Sequence, residues 1–228
     1  EVLPGIPSLK TEIPDYKLWR ADINEKSPSF EELETLFSII ENSSDDVFSA
    51  NIGNILDLDK WYKSIAINVL SGRPHSIRQN LNFLFNPIKG RFDPLLEDIG
   101  ALPDFADIGD PQEIYKKFDL LSRRILSNKT FYEEYLKILQ KMSSEEAEQK
   151  YLEIYDSLFA QLEPEFYKDQ AKYKNDFQMV SEVSEWRKII VNNYELAREL
   201  AAIKESPIFS FDLPPTEDAI MQDADGKE

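Results

Sequence analysis

Between Pro111 and Ala201 the apolar residues of this chain recur at every third or fourth position, whereas over residues 80–98 they recur at every second. A repeat near 3.6 marks one face of a helix and a repeat of two marks a strand. The chain is thereby committed to helices interrupted by a single short ribbon. Four helices are predicted in the C-terminal part, on the stripes Ile114, Phe118, Leu121, Ile125; then Phe131, Tyr135, Ile138, Met142; then Ala147, Tyr151, Ile154, Leu158, Leu162; and Val183, Trp186, Ile190, Tyr194, Ala197, Ala201. Thr130 with Glu133, and Ser144-Glu145-Glu146-Ala147, are capping-box starts for two of them.

Two further helices precede the ribbon. Ser29 opens the first, whose stripe is Leu33, Leu36, Phe37 and Ile40, and it ends near Asn42 at the Ser43-Ser44-Asp45-Asp46 cluster. Asp57 caps the second, whose stripe is Leu58, Trp61, Ile65 and Val69, and Gly72 stops it before Pro74. The ribbon itself is a β-hairpin: Leu81 to Phe85 and Phe92 to Leu96 flank the loop Asn86-Pro87-Ile88-Lys89-Gly90. Pro94 lacks an N–H and confines its strand to an edge or an irregular ladder. The predicted fold class is mainly α, six helices around one hairpin. Residues 1–29, with four of the 13 prolines, read as an extended arm or linker, residues 30–205 as the folded unit, and residues 206–228 as an acidic tail.

Charge removes several functions. With 43 acidic against 26 basic side chains the net charge is −17, so phosphate backbones and anionic membrane surfaces are repelled rather than neutralised. No nucleic acid is expected as a partner, and no apolar run is long enough for a membrane span. There is no cysteine, which excludes disulfides, thiolate metal sites and cysteine nucleophiles. The first residues, Glu1-Val2-Leu3-Pro4, contain no initiator Met, and the expectation is a piece of a longer protein.

The chemistry is sought around the hairpin. His75, the only histidine, opens the segment that leads through Asn80 into the first strand, and Leu96-Glu97-Asp98-Ile99-Gly100 closes the second. With a five-residue loop Phe85 faces Arg91 and Asn80 faces Leu96, which makes Asp98 the diagonal neighbour of Asn80 at ~7–8 Å. An amide oxygen and a carboxylate so placed can share a Mg²⁺ ion, whose remaining ligands are water and phosphate oxygens. Glu97 and Asp93 are read as solvated. His75 is equally a loop residue at a helix C-terminus or a general base. Tyr132, Tyr135, Tyr151 and Tyr155 are read as core residues in preference to a stacking face, and Asp223-Ala224-Asp225-Gly226 as tail in preference to a calcium loop.

Asp57-Leu58-Asp59-Lys60-Trp61-Tyr62, the stretch from His75 through Asn80 to Phe85-Asn86-Pro87, and Gly90-Arg91-Phe92-Asp93-Pro94-Leu95-Leu96-Glu97-Asp98 resemble the spore coat protein H (CotH) kinase-like family over roughly residues 30–205. That resemblance implies the C-terminal lobe of an atypical protein kinase that uses ATP and Mg²⁺ or another divalent metal, acts on a protein substrate or a surface-assembly partner, and is extracellular, cell-surface or spore-associated. It puts Asn80 and Asp98 in the role of the metal and nucleotide ligands. The family's catalytic Asp falls on His75 here, while a second register that puts the metal ligand at Asn82 puts that Asp at Ile77. No Gly-rich phosphate loop and nothing like the small lobe appears, so a small N-terminal lobe is expected upstream in the parent chain. With His75 at the Asp position, a pseudokinase or structural module of a surface assembly is the alternative.

Overall fold

The computed structural model of the chain describes residues 31–72, 82–96, 110–169 and 174–209. Within them the architecture is mainly helical with one two-stranded antiparallel ribbon. The order is α1 (Glu31–Asn42), α2 (Asp45–Ile55), α3 (Leu58–Leu70), β1 (Asn82–Asn86), β2 (Arg91–Leu95), a 3-10 helix (Pro111–Lys117), α4 (Leu120–Ser127), α5 (Lys129–Met142), α6 (Glu145–Lys168) and α7 (Asp176–Ala202). Among the described residues no helix is long and apolar enough to cross a membrane.

The core forms where the helical stripes meet. α3 lies against α5 and α7, and α5 also against α4. Trp61, Ile65 and Val69 of α3 are fully buried there with Tyr132, Tyr135 and Leu139 of α5 and Ala197 and Leu200 of α7. Tyr115 of the 3-10 helix stands edge-on to Tyr132 and Tyr135, and the Tyr115 and Tyr135 hydroxyls lie 3.3 Å apart. Burial pushes both phenols upward, so the cluster stays neutral. Tyr132 and Tyr135 are core residues, as their spacing suggested.

Four sequence readings are corrected. The Ser43-Ser44-Asp45-Asp46 cluster is a helix start: Ser44 accepts from the Val47 N–H at 3.4 Å and α2 follows, burying Phe48, Ile52 and Ile55. The single helix expected over Ile114 to Ile125 is two. Its break is Asp119, fully enclosed, whose carboxylate accepts the Ser122 N–H at 2.9 Å and the Ser122 hydroxyl at 2.6 Å and so starts α4. α5 is capped by Asn128, which accepts from the Phe131 N–H at 3.1 Å, two residues ahead of the Thr130 start. In α6 the predicted stripe is not buried. Tyr151, Ile154, Leu158 and Leu162 face water, and the helix buries none of its residues.

Arg124 joins the two halves of the core. Its guanidinium is 1% exposed and donates to the carbonyls of Ile40 and of Ser43, the latter at 3.0 Å, and to the Asp45 carboxylate at 3.0 Å. It also lies 4.2 Å over the Phe48 ring. One cation thus satisfies carbonyls left unpaired at the end of α1, complements an acid in the first turn of α2 and covers an aromatic face. Burial lowers its pKa and Asp45 opposes that, yet a guanidinium stays charged.

Two predictions follow from these buried charges. Arg124→Met strands the carbonyls of the α1 end inside the core and is expected to cost about 3 kcal/mol, read from the urea midpoint. Asp119 is pushed up to about 6 by burial, against the hydrogen bonds from Ser122. Its neutral form is the one the fold prefers. Its stabilising contribution is therefore complete below the ordinary value of 3.8 and is lost as the pH rises through about 6. Urea unfolding of Asp119→Asn at pH 4 and pH 7 should show this: wild type gains less or loses more on going to pH 7, by on the order of 2 kcal/mol.

Candidate functional site

The hairpin and the N-terminus of α3 are built as one unit. Asp57 caps α3, its carboxylate accepting the Lys60 N–H at 3.3 Å. The Asp57 N–H itself donates to the Phe92 carbonyl at 2.9 Å, and Leu56 forms an isolated bridge with Phe92. The chain entering α3 therefore runs beside β2 and is bonded to it. Side chains repeat the connection: Lys60 Nζ pairs with Asp93 Oδ2, Lys89 Nζ lies 3.3 Å from Asp57 Oδ2, and Trp61 stacks on Phe83 with ring centroids 5.6 Å apart. Phe92 is buried and meets Phe83 and Phe85 at 5.8 and 5.0 Å.

Asp93 was expected in solvent, yet it is 6% exposed. Lys60 brings an ammonium to this otherwise buried carboxylate. That contact raises the Lys60 pKa, so on the alkaline side its contribution is kept until the pH passes the ordinary lysine range. Burial pushes Asp57 up, but the Lys60 N–H and Lys89 outweigh it and hold the carboxyl below its ordinary value. Its contribution is present above 3.8 and is lost as the pH falls. Asp93 Oδ1 and Trp61 Nε1, both buried, find no partner among the described residues.

The turn fixes the register. Asn86 Oδ1 accepts from the Ile88 and Lys89 N–H groups at 3.1 and 3.2 Å, its carbonyl accepts from Gly90 at 2.8 Å, and Gly90 adopts φ +62. A side chain that caps its own loop makes Asn86 the last strand residue, so it pairs with Arg91 and the loop has four residues, 87–90. Phe85 then faces Phe92, not Arg91, and Phe83 faces Pro94. The described ladder ends at Asn82 opposite Leu95. His75, Asn80 and Asp98 lie outside the described residues. The diagonal relation of Asn80 to Asp98 requires a five-residue loop and does not hold in this register. What the ladder does show is that its open end, Asn82 beside Leu95, is where both connecting segments leave: Asn80 is two residues from one strand end and Asp98 three from the other.

Elsewhere, Glu145, Glu148, Glu153, Asp156 and Arg187 line an open cleft of about 370 Å³ between α6 and α7. Arg187 and Arg198 already engage Asp156 and Glu148 at 3.1 and 2.6 Å. Among the described residues no three His, Cys, Asp or Glu side chains converge as a metal site. Comparison with family models, curated proteins and solved structures returns no match.

The seam between hairpin and helix is open to a direct test. Asp93→Ala leaves Lys60 without its acceptor and opens a gap under β2, and is expected to lower stability by about 1–2 kcal/mol in urea unfolding. Ile88→Ala, at a turn side chain 96% exposed, should stay within ~0.5 kcal/mol of wild type.

Proposed function

We propose that this chain is the C-terminal lobe of a CotH-like atypical protein kinase, transferring the terminal phosphoryl of ATP to a protein hydroxyl. The observation that carries the reading is the pinned hairpin, whose open end, Asn82 beside Leu95, is two residues along the chain from Asn80 and three from Asp98. An amide oxygen and a carboxylate form a hard oxygen donor set suited to Mg²⁺, which demands few protein ligands when phosphate oxygens supply the rest. When bound, the ion offsets charge that develops on the transferred phosphoryl group. In this reading Asn80 and Asp98 would be the residues that hold the ion. His75 stands where the substrate hydroxyl is oriented, as a neutral imidazole able to accept its proton. A small lobe encoded upstream completes the nucleotide cleft, and the protein works at or outside the cell surface.

A second reading rests on His75 itself. Without a carboxylate at that position the lobe serves as a pseudokinase that binds nucleotide or partners without transfer.

Full-length gene product incubated with radiolabelled ATP and Mg²⁺ separates the two. Phosphoryl transfer to protein that falls about a hundredfold or more in Asp98→Ala and Asn80→Ala is the expected result, and equal labelling by all three proteins contradicts it. If nothing is labelled but ATP with Mg²⁺ raises the melting temperature of wild type and not of Asp98→Ala, the pseudokinase reading stands.

A further inference from the structure

We draw no further inference here: the strongest candidate, the apolar stripe of Tyr151, Ile154, Leu158 and Leu162 along the exposed side of α6, is an unpartnered face, and nothing in the structure shows what covers it.

Discussion

A two-stranded ribbon in water is marginal by itself, so the position of this hairpin is set by what it is fastened to. The fastening is the N-terminus of α3. A backbone bond from Asp57 to Phe92, the half-buried contact of Lys60 with Asp93 and the stacking of Trp61 on Phe83 all join the same few residues of helix to the same few of strand. Because α3 is itself enclosed by α5 and α7, the ribbon inherits the rigidity of the core.

The rest of the molecule divides by how its charges are handled. Inside, Arg124 and Asp119 are buried only because each has several partners: carbonyls, a carboxylate and a ring for the cation, a hydroxyl and an N–H for the acid. Both stand where one helix gives way to another, and both replace backbone partners that helix ends lack. Outside, α6 keeps its helical form through capping by Ser144, ion pairs to α7 and half-buried aromatics. Those contacts occupy one side and leave the most regular apolar stripe of the chain facing water.

How far the sequence carried depended on whether a signal was local. The stripes of α1 and α3, the Asp57 and Ser144 caps and the glycine stop at Gly72 are each local to one helix, and they are found where expected. α2 was hidden because Ser43-Ser44-Asp45-Asp46 serves equally as a loop and as a helix start, although Phe48, Ile52 and Ile55 carry helical spacing. The hairpin was legible and its register was not: one Asn side chain that caps its own loop moved every pair by one residue. Asp93 was misread for a tertiary reason. Its partner Lys60 lies 33 residues away, and only the docking of β2 on α3 brings the two together. The α6 stripe shows the limit of periodicity, which tells that a face is apolar but not what covers it.

The open end of the pinned ribbon is the proposed place of metal and nucleotide. Paramagnetic broadening by Mn²⁺ in the presence of ATP, followed on the backbone amides of the full-length protein, reports this directly. The account predicts that the signals of Asn82 and Leu95 vanish first while those of Ile88 and Lys89, at the turn, remain sharp. Uniform broadening, or loss that begins at the turn, contradicts it.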